Sequence, residues 1–166
     1  ALIVKADGSV SIEQIVEPKE RKACSFERIY FSRGGDEKIY RERNALGYKL
    51  SKTILQAIDY DLKNTIFSFI PNTAETAFYG MLKGMEDYLN KIKIERILSW
   101  DKDYDTEKLS EMINRRIRVE KIAIKDVKMR TFITEDASRN EMVQHVYDIT
   151  YGTVRAGQDT LVVIDD

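Results

Sequence analysis

One cysteine, one histidine and two prolines are spread over 166 residues, and each scarcity excludes something. Cys24 alone cannot close an internal disulfide. The lone His145 leaves no histidine metal cluster and no Cys–His catalytic pair of the usual kind. Any metal must therefore sit on oxygen ligands. Cys24 reads as a buried thiol and His145 as a half-buried helix residue between apolar neighbours. Two prolines and eight glycines, beside 43% apolar and 33% charged residues, rule out collagen-like and low-complexity chains. No stretch approaches the roughly 18 apolar residues of a membrane span, so no membrane partner is expected and a reducing, cytoplasmic setting fits. Charge of one sign is missing too: 27 Lys and Arg face 28 Asp and Glu, a net −1, and no general field recruits nucleic acid.

What is present is one domain's worth of chain, at roughly 150 residues per domain, with apolar material at both ends. The first residues, Ala1-Leu2-Ile3-Val4, carry neither an initiator methionine nor a signal peptide. The last, Thr160 to Asp166, are a β-branched run closing on two carboxylates, the pattern of a buried central strand. The chain reads as an excerpt of a longer protein.

Alternation places strands at residues 2–4 and 9–16, joined by a turn at Asp7-Gly8. Phe26 to Ser32 reads as a further strand. Asp36 is placed to cap a helix reaching Ile58, with Ile39, Leu46, Leu50, Ile54, Leu55 and Ile58 on its inner face. Thr65 to Ile70 reads as a strand that turns at once into a helix through Phe78, Met81, Met85 and Ile92. Asn72 and Glu75 have the spacing of a capping box for it. Residues 105–115 read as a short helix with Leu109, Met112 and Ile113 inward, Arg118 to Ile124 as a strand, 125–136 as a loop, 137–151 as a helix and 160–164 as the last strand. Strands alternating with helices predict an α/β fold with a mainly parallel, doubly wound sheet.

Three constellations bear on chemistry. Asp165 and Asp166 at a strand end suit a sugar diol or a hydrated Mg²⁺, although paired turn carboxylates are commonly just solvated. Phe69-Ile-Pro-Asn-Thr73 leads into a helix whose first amides favour an anion, with the Thr73 hydroxyl in reach of phosphate or metal, although Asn72 and Thr73 are also ordinary caps. The cationic stretch Arg115, Arg116, Arg118, Lys121, Lys125, Lys128 and Arg130 is mostly a solvated face, whose loop part around Lys125, Lys128 and Arg130 could close over a polyphosphate.

Cys24-Ser-Phe-Glu-Arg-Ile-Tyr-Phe-Ser-Arg33 resembles the junction segment of glutamine phosphoribosylpyrophosphate amidotransferases, the amidophosphoribosyltransferases. Tyr40-Arg-Glu-Arg-Asn-Ala-Leu-Gly47, Phe69-Ile-Pro-Asn-Thr73, Arg130-Thr-Phe-Ile133 and Leu161-Val-Val-Ile-Asp-Asp166 follow in that family's order. Only residues 86–124 diverge.

The resemblance implies that residues 1–33 are the last strands and junction of an N-terminal-nucleophile glutaminase domain. Residues 34–166 would then be a type I phosphoribosyltransferase-like domain, cut at the acidic pair. It implies that ammonia from glutamine displaces pyrophosphate from phosphoribosylpyrophosphate to give phosphoribosylamine, the committed step of de novo purine synthesis. Position by position, Asp165 and Asp166 correspond to the pair contacting the ribose hydroxyls and Mg²⁺, and Thr73 to a hydroxyl at the pyrophosphate and Mg²⁺ site. Arg130 and Thr131 correspond to the loop that closes over the pyrophosphate. A homo-oligomer is expected and an iron–sulfur cluster is not.

Two departures stand out. The family has an acidic residue and a second small hydroxyl where this chain has Asn72 and Ala74, and the basic residues before Arg130 are out of step by about one position. A phosphoribosyltransferase-like regulatory or binding module without catalysis is therefore the main alternative. A nucleic-acid-binding surface over Arg115 to Arg130 is disfavoured by the neutral net charge.

Overall fold

The computed structural model describes residues 1–100, 105–125 and 143–165. Its centre is a three-stranded parallel sheet whose middle strand lies in sequence between two long helices, so the mixed α/β expectation holds.

The chain begins with a hairpin of β1 (Leu2–Val4) and β2 (Val10–Ile12), antiparallel with Leu2 opposite Ile12. Gly8 takes φ +82°, and Asp7 Oδ1 accepts from Ser9 N at 2.9 Å, so the turn sits at the sequence-predicted place. The second strand is shorter than 9–16, and its apolar side chains face solvent, Ile12 being 84% exposed. Cys24 is exposed rather than buried. Over Glu27–Phe31 the chain makes a π-helical turn where a strand was expected. Its aromatic and β-branched residues favour strands only when a neighbouring strand is there to pair with, and none is among the described residues.

Helix α1 (Glu37–Ala57) starts at Asp36, whose Oδ1 accepts from Lys38 N and Ile39 N at 3.0 and 3.1 Å, as the capping signal predicts. Its buried side is Ile39, Arg43, Gly47, Ser51 and Leu55; Leu46 and Leu50, expected inside, are about half exposed. The helix is rotated because it meets α2 (Glu75–Leu98) through its small residues. A Cβ on Gly47 would lie 1.7 Å from the Ala77 carbonyl oxygen, and one on Gly80 would lie 1.9 Å from that of Asn44. No larger residue permits this backbone approach.

Strand β3 (Thr65–Phe69) is buried along its whole length. It pairs in parallel with β4 (Arg118–Val119) on one side and β7 (Thr160–Ile164) on the other, Phe69 lying opposite Ile164. Phe67 and Phe69 pack with Phe78, Met81 and Met85 of α2 and with Leu55 and Ile164. The Phe69 and Phe78 rings lie 4.9 Å apart. Full burial of each such side chain contributes about 1.5–3 kcal/mol. β7 is the sheet's edge among the described residues, with Leu161 and Val163 exposed, rather than the central strand expected.

Helix α3 (Thr106–Asn114) is capped by Asp105, but Leu109 and Met112 are only half-buried and Ile113 is exposed. The single strand expected over Arg118 to Ile124 is two. After β4 the chain bends, with Glu120 N on Phe67 O and Ile122 N on Ser68 Oγ, both at 3.1 Å. Then β5 (Ala123–Lys125) pairs antiparallel with β6 (Tyr147–Ile149). Residues 143–146 are helical, but the helix expected through 151 ends there, since Tyr147 and Ile149 are good strand formers with β5 beside them. His145 is exposed.

At the amino-terminal edge of the sheet, Asp159 is gripped by two guanidiniums. Arg118 donates to its two oxygens at 2.6 and 3.1 Å and Arg155 at 2.7 and 3.1 Å, with Arg155 N adding a bond at 2.9 Å. The carboxylate side chain has no exposed surface, and the cluster joins β4 to the turn that enters β7. Hydrogen bonds first from Arg155 and then from Arg118 hold its carboxyl far below the usual aspartate range.

Candidate functional site

In a parallel sheet, side chains just beyond the carboxyl ends of the strands converge on one edge. Here β3 and β7 end together: Ile70 N donates to Ile164 O at 2.9 Å, so Pro71 to Ala74 and Asp165 leave the sheet side by side. Thr73 and Asp165 accordingly line one pocket of about 340 Å³. Its remaining walls come from Ile29 of the π-helical turn, from Arg43, Leu46, Lys49 and Leu50 of α1, and from Ala74 and Ala77 at the start of α2.

Each wall has a local cause. Thr73 is half-buried in the turn that links β3 to α2. The capping box does not form: the N-cap is Ala74, with no side-chain bond, and Glu75 N turns back to the Asn72 carbonyl at 3.3 Å. The helix begins too late for Asn72 to reach it as a cap. Glu75 instead accepts from Tyr79 OH at 3.2 Å, and its charge raises the Tyr79 pKa.

Arg43 is 92% shielded from solvent, since its exposure is 8%. Its Nη2 donates to the carbonyls of Arg28, Ile29 and Ser32 at 3.0, 2.6 and 3.1 Å. That strap holds the Glu27–Phe31 turn against α1 and forms one side of the pocket. Lys49 is exposed and makes no ion pair among the described residues, so its ammonium is available to an anionic ligand. Leu46, Leu50 and Ala77 supply an apolar floor.

No family model, curated protein or solved structure matches the chain.

The donor set suits magnesium. Mg²⁺ usually takes one or two carboxylates, keeps several waters and fills its remaining positions from substrate phosphates. Asp165 and the Thr73 hydroxyl offer that kind of partial shell. Among the described residues no three acidic, histidine or cysteine side chains converge, so nothing there forms an all-protein cage.

Of the residues singled out from sequence, the pocket brings together Thr73 and Asp165. Asp166, Arg130, Thr131 and Lys128 lie outside the described residues. Lys125, expected in a closing loop, ends β5 with its Nζ 5.3 Å from the Tyr147 ring centre, a cation–π contact. Arg118 is committed to Asp159. Arg43 and Lys49 carried no assigned role: Arg43 lies within the Tyr40–Gly47 motif, but only the fold reveals that it faces backbone carbonyls. Among the described residues no helix is long and apolar enough to cross a membrane.

Proposed function

We infer that this chain carries the donor site of an amidophosphoribosyltransferase, in a type I phosphoribosyltransferase-like domain over residues 34–166. Residues 1–33 would then contribute the end of a glutaminase domain. The observation that carries the reading is that Thr73 and Asp165, more than ninety positions apart, line a single pocket at the carboxyl edge of a parallel sheet.

Asp165, with Asp166 beside it in sequence, would accept hydrogen bonds from the ribose hydroxyls. The Thr73 hydroxyl and the uncapped start of α2 would meet the pyrophosphate. Lys49 adds a positive charge beside that anion. Mg²⁺, held by Asp165 and Thr73, would neutralise charge on the leaving pyrophosphate.

In the reaction, the ammonia nitrogen bonds to the anomeric carbon while that carbon's bond to pyrophosphate oxygen breaks. The nitrogen then loses a proton to water. Charge develops on the sugar and on the leaving group rather than on a proton in flight, so positioning matters more than a strong acid or base. The lone, exposed His145 is then no obstacle.

One observation favours the non-catalytic alternative. Ala74, where the family has a hydroxyl, is the N-cap of α2 and is buried, and its methyl group supplies no donor at that position. Pyrophosphate release from phosphoribosylpyrophosphate by the full-length protein, with ammonium salt as nitrogen donor, separates the two. Catalysis is expected to be Mg²⁺-dependent and to fall about a hundredfold in Asp165→Asn through misplacement of the donor. Donor binding without turnover would establish the binding module instead.

A further inference from the structure

A second cavity lies at the opposite end of the sheet, where Lys63 precedes β3 and Arg115 precedes β4. It encloses about 630 Å³, a volume typical of small-molecule sites. Among the described residues four cations line it, Lys63, Arg96, Lys108 and Arg115, against one carboxylate, Glu111, and the half-buried Trp100 forms part of the wall. This concentration of positive charge sits on a chain whose net charge is −1.

Two neighbouring acids among the described residues are already committed. Asp105 caps α3 and pairs with Lys108 at 3.1 Å. Asp61, which feels the charge of Arg115, accepts from Lys63 N, Asn64 N and Asn64 Nδ2 at 3.1, 3.1 and 2.9 Å. More cations crowd in from the side. Lys93 Nζ donates to the Ile113 and Arg115 carbonyls at 3.0 and 2.7 Å, and Arg116 Nη1 to the same two carbonyls at 2.6 and 3.0 Å. Burial, then Arg116 and Arg115, lowers the Lys93 pKa. The side chains of Lys63, Arg96 and Arg115 have no ion-pair partner among the described residues. Like charges assembled this closely repel one another, and a multivalent anion relieves that repulsion.

We propose that this cavity binds a small phosphate-rich anion, a polyphosphate chain that is either free or carried on a nucleoside, at a site separate from the Thr73–Asp165 pocket. A concave, bounded site on a neutral chain favours a small ligand over a nucleic-acid strand, which needs an extended basic surface. Guanidiniums and ammoniums in such a cavity make charge-assisted bonds to phosphate oxygens, and their affinity falls as salt rises.

Trp100 is the only tryptophan, so its emission reports on this cavity alone. The test is calorimetric titration of the full chain with inorganic tripolyphosphate, in parallel with tryptophan emission. Arg96→Gln combined with Arg115→Gln should weaken binding by about tenfold or more, since bonds to charged groups are lost. Both residues are exposed and neither guanidinium makes a hydrogen bond among the described residues, so the fold should persist by circular dichroism. Thr73→Val should leave this affinity unchanged, which keeps the result independent of the proposed activity. An equal affinity for adenosine triphosphate assigns recognition to the phosphate chain, and a higher one adds a contribution from the nucleoside. Absence of saturable binding, binding that survives the double substitution, or a single-stranded oligonucleotide of matched charge binding more tightly would overturn the proposal.

Discussion

β2 and β3 are both short and rich in β-branched or aromatic residues, yet Ile12 in one is 84% exposed and Phe67 in the other is fully enclosed. The difference lies in what stands beside them. β3 has a parallel strand on each side and Phe78, Met81 and Met85 of α2 on one face. Among the described residues β2 has only β1, and a lone two-stranded hairpin is marginal in water. Strand propensity makes both segments extended, but only burial makes one of them a foundation for a site. The pocket at Thr73 and Asp165 exists because β3 and β7 are held in register by that packing.

The largest effect is expected in the packed region. Gly80→Val should destabilise the protein by about 3 kcal/mol or more, because its Cβ would fall on the Asn44 carbonyl, 1.9 Å away, and backbone cannot step aside as a side chain does. Chemical denaturation measures it.

A smaller effect with a diagnostic pH dependence is expected for Asp159→Asn. The depressed carboxyl of Asp159 contributes stability that is fully present above its ordinary pKa of 3.8 and is lost as pH falls toward the lower folded-state value. The wild-type protein should therefore melt above the variant at pH 7. The gap should narrow once the pH drops below 3.8. A gap independent of pH would remove the role assigned to the two guanidiniums.

The least effect is expected in the hairpin. Ile12→Ser should change stability by no more than about 0.5 kcal/mol, as exposed positions generally do. If it destabilises as Gly80→Val does, the hairpin is part of the packed body and the contrast fails.

The parts of the fold legible in sequence were those in which a local pattern and the final packing agree. Asp36 starts α1 because a side-chain cap is a local event. β3 and β7 stand within a residue of their expected bounds because short runs rich in β-branched and aromatic residues, bounded by turn residues, favour strands. Patterns failed where a distant partner decided. Leu46 and Leu50 lie on a plausible inner stripe, but the contact of Gly47 with Ala77 turns α1 and leaves those leucines as a pocket wall. Tyr147 to Ile149 continues a helical periodicity until β5 offers edge bonds.

The candidate site divides the same way. Thr73 and Asp165 could be named from motifs at strand ends. Arg43 could not, because its role is to bind carbonyls fourteen and fifteen residues earlier, and nothing in a linear pattern marks that contact.

The measurement that bears most directly on the account is calorimetric titration of phosphoribosylpyrophosphate, with and without Mg²⁺, into the wild-type protein, Thr73→Val, Asp165→Asn and the double variant. The account predicts Mg²⁺-dependent binding that each single substitution weakens by about tenfold or more, with the double variant losing less than the sum because both groups act on one ligand. Wild-type affinity in both single variants, or losses that simply add as for distant sites, would contradict it.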